Sequence, residues 1–173
     1  FHDIADYITI NISSPNTENL INFHDEIKFV ELMNSIQEEK VKIKSEIPIV
    51  VKISPDISEE QIELISKVLL DHKVSAIIVS NTTSKNREKL KNILKHQKGG
   101  LSGKPLEEEA NKLISKFYKL LKGKIKIIGV GGVDSGESAH RKLLAGASYV
   151  QLYTGMVFQG PNIVGKIKKE LKE

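Results

Sequence analysis

Residues able to do chemistry gather at the ends of five apolar runs. The first run leads into Asn11-Ile12-Ser13-Ser14-Pro15-Asn16-Thr17, the second into Lys52, and the third into Ser80-Asn81-Thr82-Thr83. The fourth ends in Gly129-Val130-Gly131-Gly132 and the fifth in Tyr153-Thr154-Gly155. Asn, Ser and Thr supply neutral donors and acceptors, while glycines let main-chain amides approach an anion closely. Any one cluster is ordinary turn chemistry; five at equivalent positions point to a ligand site. Gly99-Gly100-Leu101-Ser102-Gly103 and Gly131-Gly132 read either as tight turns or as a phosphate cradle, and Tyr153-Thr154 after the following strand favours phosphate. The Gly-x-Gly-Gly spacing does not match the dinucleotide fingerprint. Lys52 closes an apolar strand, where an ammonium is costly unless it meets an anion; the alternative is a lysine that snorkels to the rim. Ser14 taken alone is a turn residue. No Ser-His-Asp arrangement accompanies it, and nothing orients His24, the nearest imidazole.

Composition narrows the chemistry. The chain has 173 residues, 28% of them charged, and a net charge of +4 spread over Lys and Glu on apparent helix faces. That dispersal indicates solvated surfaces and no nucleic-acid partner, and the absence of Trp with only 5% aromatics gives no base-stacking platform. Zero cysteines exclude a disulfide, a thiolate metal site and a thiol nucleophile. The five histidines, at positions 2, 24, 72, 96 and 140, show no metal-ligand spacing, so no metal is expected, and His140 is placed on a helix surface. No apolar stretch approaches the ~20 residues that span a bilayer. The first residues lack a signal-peptide layout and do not begin with Met, so the native start is expected upstream.

The elements that position these residues alternate. Tyr7–Asn11, Ile49–Ile53, Ala76–Ser80, Lys126–Gly129 and Tyr149–Leu152 read as parallel strands covered on both faces. Between them lie helical patterns: Ile27, Val30, Met33 and Ile36; then Ile62, Ile65, Val68 and Leu69, opened by a Ser58/Gln61 capping box. Leu113, Ile114, Phe117, Leu120 and Leu121 form a third stripe with Gly123 as its expected C-terminal cap. A shorter helix follows Asp134-Ser135 and ends near Gly146, and the last runs from about Ile163 to Leu171. Residues 81–105 make a βα connection long enough to be functional or mobile. This β-α repetition is a parallel α/β fold in one domain, whose ligands bind at the C-terminal strand ends whether the sheet closes or stays open.

In this order the clusters resemble class 2, quinone-linked dihydroorotate dehydrogenases. The matching segments are Ala5-Asp6-Tyr7 through Thr17, Val51-Lys52-Ile53-Ser54-Pro55-Asp56, Asn81-Thr82-Thr83, Gly99 through Leu106, Ile128 through Val133, Ala145 through Thr154, and Gly160-Pro161. The resemblance implies an FMN-binding (β/α)8 TIM barrel, of which residues 1–173 would be the C-terminal part carrying roughly the last five β-α units. The first three strands and the N-terminal membrane-associating helices would be absent. It implies oxidation of dihydroorotate to orotate with a quinone as acceptor, in pyrimidine (UMP) biosynthesis. The complete protein would associate peripherally with a membrane through the missing N-terminal part.

Residue by residue, the resemblance implies that Ser14 is the base taking the substrate C5 proton while C6 passes hydride to flavin N5. Lys52 matches the flavin-contacting lysine. Asn11, Asn16, Asn81 and Thr82 match pyrimidine-binding positions, with Asn11 also near the flavin. Ser80, Gly103, Gly132, Tyr153 and Thr154 match flavin positions, the last four at its phosphate end. The family usually continues after Thr17 with a small residue, Gly, Leu and Arg; here Glu18-Asn19-Leu20-Ile21 stands, without the arginine. Two readings follow: part of a working flavin dehydrogenase, or an incomplete barrel that at most binds FMN or phosphate and catalyses nothing. A tRNA dihydrouridine synthase lacks support because that chemistry calls for a cysteine acid. Residues 1–173 alone are expected to hold FMN poorly and not to turn over, with both outer strands unpaired and the inner apolar face open.

Overall fold

Five short strands and six α-helices alternate in the computed structural model, which describes residues 1–13, 25–85 and 87–172. The strands are β1 (Ile8–Asn11), β2 (Ile49–Lys52), β3 (Ala76–Val79), β4 (Lys126–Gly129) and β5 (Tyr149–Val150). The helices are α1 (Glu26–Lys42), α2 (Glu59–Asp71), α3 (Glu107–Leu121), α4 (Gly136–Leu144), α5 (Thr154–Gln159) and α6 (Ile163–Glu170). All strand pairs are parallel and lie in sequence order, β1-β2-β3-β4-β5. A doubly wound sheet reverses its order at a switch point; this sheet does not, and its order is that of part of a (β/α)8 barrel.

The two sheet faces differ. Strand side chains alternate between faces, so Val51, Ile53, Ile77, Val79 and Ile127 point one way. There they pack with Phe29 and Met33 of α1, Ile62, Ile65 and Leu69 of α2, and Ile114 and Phe117 of α3 in one buried core. The opposite face carries a small cluster of strand residues alone, Val50, Ala76, Ile78 and Ile128, joined by Val130. Helices therefore cover one face, not two. The apolarity that reads as double coverage has its source in the inner surface of a barrel wall. The four central residues of that face are 9% exposed or less, whereas Tyr7 and Tyr149 at its margins are exposed. β1 and β5 are the sheet edges, as expected.

Local chemistry explains the helix limits. Ser58 and Gln61 close the capping box at the start of α2, and Ser135 with Ser138 does the same for α4. α3 ends one residue earlier than its glycine suggests: Lys122 adopts the left-handed conformation and Gly123 follows it at positive φ. In α1 the buried stripe runs through Phe29 and Met33, while Ile27 is 68% exposed. Overlapping apolar spacings permit either rotation, and the larger ring takes the core. His140 is exposed on α4. No helix among the described residues is long and apolar enough to cross a membrane.

One core residue is out of character. Lys142 on α4 is fully buried, its stem beside Gly129 of β4 and its Nζ donating to Asn111 Oδ1 at 3.0 Å. Burial pushes its pKa down to about 8, against a smaller upward pull from Glu107 and a further push down from Arg141. The unfolded chain holds this proton up to pH near 10.5, so between about 8 and 10.5 unfolding takes up a proton and stability rises with pH. That contribution is lost as pH falls through 8. Urea unfolding should therefore show about 2 kcal/mol more stability at pH 10 than at pH 8 from this group. Lys142→Met should be the more stable protein at pH 7 and should lack that increment. Equal pH slopes in the two proteins would count against a charged lysine forced into the core.

Candidate active site

The C-terminal ends of β2 to β5 enclose a cleft of about 320 Å³. Lys52, Ser80, Asn81, Thr82, Gly103, Gly132, Tyr153 and Thr154 all line it. These eight positions, scattered over 103 residues of sequence from 52 to 154, are thus brought to one place by the strand ends and, for Gly103, by the connection after β3. Parallel register does this: Ile78 lies opposite Lys52 and Gly129 opposite Val79, so the residues that follow emerge side by side at one sheet edge.

Lys52 sits half-buried at the end of β2, where burial lowers its pKa. Among the described residues it forms no ion pair. A cation facing a cleft without a carboxylate partner suits an electron-rich or anionic ligand. The opposite wall is glycine. Gly103 has a φ of +74°, and a Cβ there would approach Thr154 Cγ2 to 2.9 Å. Thr154 also donates through Oγ1 to Ser102 Oγ at 3.0 Å, so the turn after Ser102 and the start of α5 interlock at the rim. Beyond this rim a second hollow of about 360 Å³ continues, sharing Gly103, Gly132 and Thr154 with the first.

At the other end of the cleft a hydrogen-bond chain fixes the amides. Ser13 Oγ donates to Asn11 Oδ1 at 2.8 Å and accepts from Asn81 Nδ2 at 3.0 Å; Asn81 Oδ1 in turn accepts from the Thr82 amide at 2.8 Å. Asn11 lies opposite Lys52 in the β1–β2 register, beside the cleft and outside its lining. Ser13, fully buried, is a positioning residue that sequence reasoning passed over in favour of its neighbour. Asp56 was also missed. Its carboxylate accepts from Thr83 Oγ1 and, at 2.8 Å each, from the Ser84 amide and hydroxyl, which anchors the loop carrying Asn81 and Thr82. The motif holding Asp56 was visible, but its partner 27 residues on was not. Ser14 and Asn16 lie outside the described residues, as do Asn19, Ile21 and His24.

The long 81–105 connection is built from short 3₁₀ turns, an antiparallel bridge between Thr83 and Leu101, and the Arg87 guanidinium donating to the carbonyls of Lys95, Gln97 and Gly99. It returns the chain to the cleft at Ser102. No three His, Cys, Asp or Glu side chains among the described residues are grouped to hold a metal.

The dihydroorotate dehydrogenase family model matches residues 1–173. The protein named dihydroorotate dehydrogenase (quinone) in Idiomarina loihiensis is 42% identical over 171 residues, covering 96% of this chain and 51% of that protein. Its namesake in Buchnera aphidicola is 43% identical, with the same coverage. Among solved structures, the ferulenol complex of DHODH from Eimeria tenella superposes with a TM-score of 0.92 at 34% identity, covering 96% of this chain and 49% of that one. The ligand-free form of the same enzyme gives 0.92 at 35%. This chain spans about half the length of the relatives it matches.

Proposed function

The chain belongs to the dihydroorotate dehydrogenase family, and from that premise we propose that its strand ends form the flavin and substrate site of a quinone-linked dihydroorotate dehydrogenase acting in pyrimidine synthesis. The five units correspond in this reading to the last five of eight in one barrel domain, residues 1–173. FMN is the cofactor, dihydroorotate the substrate, and a quinone the electron acceptor; membrane association is peripheral and comes from the N-terminal part of the whole protein. The observation that carries the reading is the half-buried Lys52, free of any ion pair among the described residues, facing a glycine-walled cleft. No observation favours an incomplete barrel that binds without catalysing.

Oxidation of dihydroorotate removes two hydrogens, one as a proton and one with its electron pair. Bound FMN supplies the acceptor for that electron pair. Ser14 takes the C5 proton. Asn81 and Thr82, fixed through Ser13 and Asp56, hold the pyrimidine with Asn11 and Asn16. Lys52 and Ser80 lie along the ring portion of the cleft, with Lys52 offsetting negative charge on its polar edge. Gly103, Gly132, Tyr153 and Thr154 accommodate the phosphate end, where only glycine fits against Thr154.

Lys52→Met in an enzyme of full family length tests this directly. It should lower the flavin reduction potential and weaken FMN retention, because a fixed cation favours the more negative, reduced ring. Equal potentials and equal FMN content in variant and parent would remove Lys52 from the site and leave it a rim lysine.

A further inference from the structure

Beneath the glycine wall lies an ion-pair hub that the proposed chemistry does not use. Glu107, the first residue of α3, is buried. Its carboxylate accepts from Arg141 Nε of α4 at 2.7 Å and pairs with Lys104 Nζ at 2.8 Å. Arg141 also pairs with Glu137, and Lys104 lies 3.5 Å from Asp134. Burial pushes the Glu107 carboxyl up, but the hydrogen bonds from Arg141 and Lys104 and then their charges outweigh it and hold it below its ordinary value. It is therefore ionised at neutral pH.

The hub touches both glycine turns. Lys104 follows Gly103 directly in the turn Lys104–Leu106. A Cβ on Gly132, at φ +77°, would lie 2.8 Å from Glu107 Cα and 3.0 Å from its backbone nitrogen. The carboxylate thus joins the turn bearing Gly103 to α4, and the same residue packs through its Cα and backbone nitrogen against Gly132. α3 has no side-chain cap at its start, and these ion pairs are side-chain ties that help to secure this corner.

We infer that Glu107 is a positioning residue for phosphate recognition: it holds the Gly103 and Gly132 turns at the spacing that admits the terminal phosphate of the flavin. This rests on the flavin reading above and goes beyond it by naming what shapes the anion end. The sign of the effect separates it from simple electrostatics. Removing a negative charge near an anion site strengthens anion binding if charge alone matters; loss of positioning weakens it.

The test compares an enzyme of full family length with its Glu107→Gln variant, which keeps the side-chain volume, and with Lys104→Met at an exposed position. FMN and riboflavin are titrated separately, with amide NMR of Gly103 and Gly132 recorded first in the ligand-free proteins. Glu107→Gln should move both glycine amides before any ligand is added and weaken FMN about tenfold, with riboflavin changed by less than about twofold. Lys104→Met should move the Gly103 amide. Tighter FMN binding in Glu107→Gln, or equal weakening of both flavins, would overturn the inference. If the parent binds neither flavin, the flavin reading fails, while unmoved glycine amides in both variants would still refute the positioning role on its own.

Discussion

Ser14→Ala, placed in an enzyme of full family length, should slow dihydroorotate-dependent flavin reduction by about 10²–10⁴-fold while leaving FMN bound, the range a positioned acid–base group contributes. The chain has no cysteine to take the role, and His24 is not oriented by any motif. In sequence Ser14 directly follows Ser13, whose hydroxyl is locked between Asn11 and Asn81. Serine is a weak base, and the rate should rise with pH in the parent. Anaerobic bleaching of the flavin by dihydroorotate is the measurement. An unchanged bleaching rate in the variant removes Ser14 from catalysis; a loss of FMN along with activity would make it structural.

Gly132→Ala should be strongly damaging for a single added methyl group. The residue is buried at positive φ, and the new carbon would meet Cβ and the backbone of Glu107, not a side-chain tip that could swing aside. Left-handed strain and overpacking together should cost about 2–4 kcal/mol. The relief available is a shift of the Gly131–Gly132 turn or of the α3 start, and either one deforms the phosphate end. Thermal unfolding should show the loss, and FMN affinity should fall more than riboflavin affinity. Gly99→Ala provides the control: its φ is also positive but nothing lies within 4 Å of the added carbon, so only the backbone strain remains. Equal damage from the two would place the whole effect in backbone strain and none in packing against α3.

Much of this was legible because it is local. Apolar runs rich in β-branched residues gave the strands to within a residue or two; the largest difference is at β5, where the ladder stops at Val150 and the chain turns toward Tyr153. The capping pair at Ser58 and Gln61 was readable because three-residue spacing is visible in sequence. Positional reasoning, the polar or glycine residues after each run, found seven of the residues that line one cleft, and the glycine cluster ending at Gly103 supplied the eighth. Other features depend on partners far away in sequence. Ser13 matters because Asn81 reaches it, Asp56 because Thr83 and Ser84 do, and Glu107 because Arg141 does. Nothing in the local pattern around those residues distinguishes them from ordinary polar positions. The rotation of α1 was ambiguous for a related reason: Ile27 and Phe29 both begin acceptable stripes, and only the sheet decides between them. Coverage of both sheet faces was misread because a barrel interior and a helix-covered face produce the same apolar strand.

Oxidation of dihydroorotate at a flavin held by these strand ends is the proposed reaction. The most direct measurement is the visible absorption of the FMN-loaded enzyme of full family length under anaerobic conditions. Adding dihydroorotate should bleach the oxidised flavin band, and a quinone should then restore it, with both steps retained in a variant altered only at the exposed Ile93 of the long connection. A band that persists with dihydroorotate, in protein whose flavin a chemical reductant readily bleaches, would contradict the account.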